Sequence, residues 1–144
     1  MAEVIVTGNV SEYRATIPVC VNKDDVVLEV GCANGKTTSI LAEHCKEAVG
    51  IDKGGTLPKA KERYPWIQFE QIDGFHIGNI LALGKKFSKI YIDISGNRDL
   101  DIVISMIQKH EAALNPEIIV VKSSKLKRIM REYKIWEDNI HKKA

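Results

Sequence analysis

The sequence predicts a doubly wound α/β domain on a mainly parallel sheet. Short β-prone apolar runs recur from residue 26 onward, segments with helical apolar spacing lie between them, and the connections are only a few residues long. Strand–helix alternation with short links closes by right-handed crossovers, which places helices on both faces of the sheet.

The first 22 residues stand outside that alternation. "EVIVTGNVSEYRATIPV" carries two β-prone runs around Gly8-Asn9, a pair that favours tight turns, so residues 1–22 read as a hairpin. Val26 to Val30 is a strand ended by Gly31, Ala48 to Ile51 a strand ended by Asp52, and "WIQFEQI" a third that runs to Asp73. "KIYIDI" and "EIIVVK" complete five. Leu100, Val103, Ile104, Ile107 and Leu114 form one helical face, and Asn115-Pro116 stops it because proline has no amide proton. Leu126, Ile129, Met130, Tyr133, Trp136 and Ile140 make a second stripe, giving a basic C-terminal helix over 126–144.

With 144 residues, 44% of them hydrophobic and 28% charged, the chain has the core of one domain and lacks the composition of a disordered protein. No internal repeat or linker divides 1–144, and residues 24–125 hold the alternating core. "MAEVIVTGNV" has no basic segment followed by a long apolar run, and nowhere are there the roughly 18 apolar residues that cross a bilayer, so a cytoplasmic protein without a membrane partner is expected. Cys20, Cys32 and Cys45 have neither C-x-x-C spacing nor a nearby His at ligand spacing, so free thiols and no metal are expected.

The informative stretch is "VVLEVGCANGKTTSILA", Val26 to Ala42. Gly35-Lys36-Thr37 ends like a triphosphate-binding loop, but Gly31 and Gly35 enclose three residues where that loop needs four, and Glu29 would bring a carboxylate towards the phosphates. A P-loop-like nucleotide-binding protein is therefore the weaker alternative. The dinucleotide pattern G-x-G-x-x-G is broken at Ala33 and at Lys36, whose bulk would separate helix from strand.

Glu29-Val-Gly-Cys-Ala-Asn-Gly35, with acidic residues ending successive strands at Asp52, Asp73 and Asp93, resembles the class I S-adenosylmethionine-dependent methyltransferases over about residues 24–125. "LEVGCANG", "YIDISGNR" and "IIVVKS" are similar to one methyltransferase-like branch of that family. The resemblance implies a Rossmann-like fold and S-adenosyl-L-methionine as cofactor, with S-adenosyl-L-homocysteine as product. It implies a cofactor site of Glu29, Gly31, Ala33, Gly35, Asp52, Lys53, Asp73, Gly74, Phe75 and Asp93. Asp52, 21 residues after Gly31, would take the ribose hydroxyls, and Asp73 the adenine amino group beside Gly74 and Phe75. The chemistry agrees, since the cofactor carries a sulfonium and an ammonium but no phosphate, which acidic residues attract. Plainer readings stand beside these: Glu29 as a capping partner for loop amides, and Asp52 and Asp73 as turn residues before glycines.

The acceptor is constrained at the fourth of the predicted strands. Asp93-Ile-Ser-Gly96 does not match the Asn/Asp-Pro-Pro-aromatic tetrad of enzymes that methylate exocyclic base nitrogens. Asp93 with Lys122 is similar to half of the Lys-Asp-Lys-Glu set of ribose 2′-hydroxyl methyltransferases, which makes both candidate catalytic residues. Arg14 and Lys23 are the nearest candidates for the missing first lysine, and a structural or phosphate-contacting Lys122 is the plainer reading. The family's last two strands have no counterpart after the fifth predicted strand, and the N-terminal hairpin is expected to cover that strand's edge.

Charge is uneven. From Lys122 to Ala144 there are eight Lys/Arg against three Asp/Glu, whereas the rest of the chain is acidic by three. Lys125, Lys127, Arg128 and Arg131 are expected to flank the pocket and bind the acceptor, with RNA leading and a protein side chain next. A non-catalytic adenosylmethionine-binding subunit, dependent on a partner or on dimerisation through a sheet edge, is the main alternative to an enzyme that acts alone.

Overall fold

The computed structural model describes residues 1–95 and 98–138. Six strands form one sheet: β1 (Glu3–Thr7), β2 (Val26–Val30), β3 (Glu47–Asp52), β4 (Gln68–Gln71), β5 (Lys89–Ile92) and β6 (Ile118–Lys122). Helices α1 (Val10–Ala15) and α2 (Ile17–Cys20) follow β1, and α3 (Lys36–His44) follows β2. The other helices are α4 (Leu57–Arg63), α5 (Ile77–Leu81), α6 (Leu100–Leu114) and α7 (Ser124–Glu132). Strand order is β1-β6-β5-β2-β3-β4 and every pair is parallel.

Alternation along each strand divides the core into two layers. Leu28, Val30, Val49, Ile51, Ile90, Ile92, Ile119 and Val121 face α5 and α6, where Ile80, Val103, Met106 and Ile107 meet them. Val27, Ala48, Tyr91 and Val120 face the other way, onto Tyr13, Ile17 and Leu41. Burying each large side chain contributes roughly 1.5–3 kcal/mol. Glu29 falls by the same parity on the second face, at 1% exposure.

The N-terminal hairpin is not formed. β1 is the predicted first strand, but it pairs with β6 in parallel register from Glu3↔Ile118 to Thr7↔Lys122. The second run is helical because Gly8-Asn9 serves as a helix start rather than a hairpin turn. The Asn9 side chain accepts the Glu12 amide proton at 2.9 Å, and Glu12 Oε1 accepts that of Gly8 at 2.9 Å. Tyr13 and Ile17, four residues apart, are then wholly buried on one face. The expected cover over the edge of β6 is present, supplied by one strand.

The C-terminal helix is shorter than 126–144. Ser123 caps it by accepting the Leu126 amide proton at 3.1 Å, and it ends at Glu132, with Tyr133 extended at φ −85°, ψ 139°. No residue of α7 is fully buried: Leu126 packs partly against the core, but from Met130 onward the apolar stripe is exposed and has no core surface to hold it in register. Tyr133 and Trp136 are 71% and 68% exposed, and Ile140 lies outside the described residues. By contrast α6 stops as predicted, with Asn115 left-handed at φ 46° ahead of Pro116.

No helix among the described residues is long and apolar enough to cross a membrane. The three cysteines are free thiols, and no cluster of metal-ligating side chains occurs among the described residues.

Candidate functional site

From β2 the chain passes outward to β3 and β4 on one side and returns to β5 and β6 on the other, so the order reverses between β2 and β5. Crevices in open parallel sheets form at such a reversal, beyond the carboxyl ends of the strands. Gly31 makes the two backbones meet there. A Cβ on it would lie 1.9 Å from the Asp93 carbonyl oxygen, and its φ of +84° is one that glycine adopts without strain.

A cavity of about 320 Å³ opens at this point. Gly31 and Ala33 line it from the loop after β2, Asp52 and Lys53 from the end of β3, Asp73, Gly74 and Phe75 from the segment after β4, and Asp93 from the end of β5. Eight of the ten residues expected to bind a cofactor thus share one cavity, three of them carboxylates.

The carboxylates are anchored by backbone. Asp52 Oδ2 accepts the Ala33 amide proton at 2.8 Å and Oδ1 that of Gly54 at 2.7 Å. Asp73 Oδ1 accepts the Phe75 amide proton at 2.9 Å, so the turn reading and the site reading of Asp73 coexist. Each oxygen retains acceptor capacity towards the cavity. The Ala33 amide, which a phosphate-binding loop would direct at an anion, is instead directed at a carboxylate, and this weighs against the triphosphate alternative.

Glu29 and Gly35 do not line the cavity. Glu29 is buried under the loop, where Thr38 Oγ1 donates to it at 2.6 Å and Tyr13 Oη at 3.0 Å. Burial raises its carboxyl to about pH 7, against the lowering effect of those two hydroxyls. Its partners are side chains, so the capping reading of Glu29 is also replaced. Gly35, at φ +86°, starts α3, and a Cβ there would lie 2.7 Å from the Phe69 ring, so its role is helix-to-sheet packing.

The two candidate catalytic residues come together. Lys122 Nζ lies 3.2 Å from Asp93 Oδ1, and both side chains are about a fifth exposed. Asp93 lines the cavity, and Lys122 borders it through this contact. Arg14 is directed elsewhere, donating from Nε to Thr37 Oγ1 at 3.0 Å, and Lys23 is exposed.

The four basic residues do not line the cavity. Lys127, Arg128 and Arg131 line a separate groove of about 450 Å³ with Gly8, Asn9 and Glu12, on the far side of β6. Lys127 is paired with Glu12 at 2.6 Å, Lys125 with Asp99 at 3.6 Å, and Arg128 lies 4.0 Å from Glu132. Their charge therefore lies beside the crevice rather than around it.

Six further lining residues were not singled out by sequence reasoning: Val30, Ile72, Ile94, Ser95, Arg98 and Met106. Ile72, Ile94 and Ser95 adjoin the acidic strand ends, which was signal enough to include them. Arg98 is held by its Nε donating to the Ile94 carbonyl at 3.1 Å. Met106 reaches in from α6 beneath Gly74, whose Cβ would lie 2.4 Å from Val30 Cγ1 and 3.0 Å from Met106 Cε, and nothing local in sequence marks it.

No family model matches the chain. A 50-residue stretch is 40% identical to "Putative methyltransferase 235L" of Invertebrate iridescent virus 6, taking in 33% of this chain and 19% of the viral protein. Among solved structures, a dimethyladenosine transferase from Plasmodium falciparum superposes with a TM-score of 0.66 at 19% identity, over 94% of this chain and 49% of that one. The Streptococcus mutans protein SMU.1697c, in complex with SAH, gives 0.57 at 11% identity, over 76% of this chain and 68% of that one. The chain thus spans about half the length of the transferase and a fifth of the viral protein. These likenesses establish the fold as that of the class I methyltransferases.

Proposed function

We propose that the chain is an S-adenosylmethionine-dependent methyltransferase whose acceptor is RNA. The observation that carries the reading is the convergence of Asp52, Asp73 and Asp93 on one cavity at the strand-order reversal. The three carboxylates outnumber the two cations on the cavity wall, Lys53 and Arg98, and the Ala33 amide is taken up by Asp52, which suits a ligand that bears positive charge and no phosphate.

The residues present fit the cofactor. Gly31 and Gly74 stand where side chains would collide with Asp93 and Val30, which keeps the cavity open to a flat adenosine. Asp52 would hold the ribose hydroxyls and Asp73 the adenine amino group, with Ile72, Phe75 and Met106 as apolar walls. Asp93 would face the methionine end. When bound, the cofactor supplies an electrophilic methyl group.

Asp93 and Lys122 act on the acceptor. Asp93 would accept a hydrogen bond from an acceptor hydroxyl, fix its direction and take up its proton on transfer, while the Lys122 ammonium would favour the negative charge that develops on that oxygen. RNA is favoured because the groove carrying Lys127, Arg128 and Arg131, though separate from the cavity, lies past the carboxyl ends of β1 and β6, at the same end of the sheet.

Incubation of the purified chain with methyl-tritiated adenosylmethionine and, separately, total RNA and ribonuclease-treated protein extract tests the acceptor. Label in RNA supports the reading. Label only in protein, or cofactor binding with no transfer to either, would replace it with a protein methyltransferase or a partner-dependent subunit.

A further inference from the structure

Helix α7 and the segment after it present a surface that the proposed chemistry leaves unused. Met130, Tyr133, Ile135 and Trp136 are 60%, 71%, 81% and 68% exposed, and Arg128, Arg131 and Lys134 alternate with them on exposed positions. The part of the stripe from Met130 onward lies in solvent, since Tyr133 is extended and only Leu126 at its start packs against the core. Arg128 and Arg131 also line the groove against Gly8 and Asn9, so this arm begins at the same end of the sheet as the cavity.

We propose that the segment from Arg128 to Trp136 is a single-strand RNA-binding arm in which Tyr133 and Trp136 stack on unpaired bases while Arg128, Arg131 and Lys134 contact the phosphates. The inference deepens the RNA-methyltransferase reading and takes its choice of ligand from it. Aromatic side chains interleaved with cations are what a flexible single strand needs, because every base offers a π-face and every nucleotide a negative charge. A duplex keeps its bases stacked on one another and would gain only the phosphate contacts.

A second copy of the chain is the less favoured occupant. Pairing like with like would set Arg128, Arg131 and Lys134 of one copy against the same three cations of the other, with Glu132 the one acidic residue between Arg128 and Trp136. Trp136 itself donates from Nε1 to Asp138 Oδ1 at 3.1 Å, a bond at the edge of the indole. Trp66 is 73% exposed as well, stands edge-on to Tyr64 with centroids 5.8 Å apart, and lies at the amino end of β4 away from the crevice.

The test uses the full chain and a short oligouridylate, with duplex RNA of equal length as comparison. With Trp66→Phe as background, Trp136 is the remaining indole, and stacking should quench its fluorescence on titration with the single strand. Tyr133→Ala combined with Trp136→Ala should weaken oligouridylate binding by about tenfold or more in an anisotropy titration, while Tyr133→Phe with Trp136→Phe retains most of it. Absence of quenching, equal affinity of the alanine variant, or duplex bound as tightly as single strand would overturn the arm. So would a dimer in sedimentation that the alanine variant converts to monomer, since the surface would then belong to a second copy. Adenosylmethionine titrated in parallel separates the two readings. RNA quenching without cofactor binding leaves the arm and removes the methyltransferase, and cofactor binding without quenching does the reverse.

Discussion

The Asp52 carboxylate and the Ala33 amide are 2.8 Å apart, which ties the end of β3 to the loop after β2 and leaves the carboxylate facing the cavity. Asp52→Ala removes this anchor and the proposed acceptor for the ribose hydroxyls. Each charge-assisted hydrogen bond contributes about 1.5–3 kcal/mol, so affinity for adenosylmethionine should fall by about tenfold or more. Titration calorimetry measures it, and an unchanged affinity would remove Asp52 from the site.

At the neighbouring position the constraint is steric. Gly31→Ala places a Cβ 1.9 Å from the Asp93 carbonyl oxygen at a φ of +84°. The left-handed backbone alone costs about 1–2 kcal/mol, and forcing β2 from β5 costs more. Urea unfolding should show a loss above about 2 kcal/mol, where a wild-type midpoint would mean that the strands can separate there.

Glu29 should give a pH signature. The unfolded chain releases its proton near pH 4.5 and the folded chain holds it to about pH 7, because burial disfavours the ion. The folded state therefore binds more protons between those values, so this contribution is full below about pH 4.5 and lost as pH rises to 7, a change of about 3 kcal/mol. Glu29→Gln retains the shape and can still bond to Tyr13 and Thr38. The stability difference between wild type and variant should shift in the variant's favour from pH 4.5 to 7.5, and parallel pH profiles would contradict the assignment.

Lys122→Met should separate binding from turnover. Lys122 meets Asp93 at 3.2 Å and does not line the cavity, so cofactor affinity should change little. Loss of a group that assists proton transfer lowers kcat by about a hundredfold or more. A variant with normal kcat and raised KM for RNA would instead make Lys122 a phosphate contact.

At the opposite end of the strands, Lys89 Nζ lies 2.8 Å from Asp25 Oδ2, and both side chains are about 5% exposed or less. Lys89→Met leaves Asp25 buried with only the Asn22 amide and the Ser88 hydroxyl as donors. Breaking such a pair costs about 3–5 kcal/mol. Thermal or urea unfolding of the variant measures it, with a loss under about 1 kcal/mol as the contrary result.

The sheet from β2 to β6 was legible because its strands are short apolar runs ended by Gly31, Asp52, Asp73 and Asp93, and the same residues that end strands build the cavity. Glu29 and Gly35 were misplaced because a loop motif gives spacing but not the face on which a strand residue emerges. Parity along β2 sends Glu29 to Tyr13, a partner 16 residues earlier in a segment expected to be a hairpin. That segment was misread because Gly8-Asn9 suits a turn and a helix start equally, and Glu12, which decides between them, acts through its side chain. Past Leu126, which packs partly against the core, the stripe from Met130 to Trp136 has helical spacing without a surface to bury it, and spacing carries no information about whether such a surface exists.

The central claim is that the crevice between β2 and β5 binds adenosylmethionine. Calorimetric titration of the purified chain with adenosylmethionine, adenosylhomocysteine and magnesium-ATP tests it most directly. The account predicts micromolar binding of the first two, weakened about tenfold or more in Asp52→Ala, and no heat from ATP. Binding of ATP alone would contradict it and return Gly35-Lys36-Thr37 to the phosphate-binding reading.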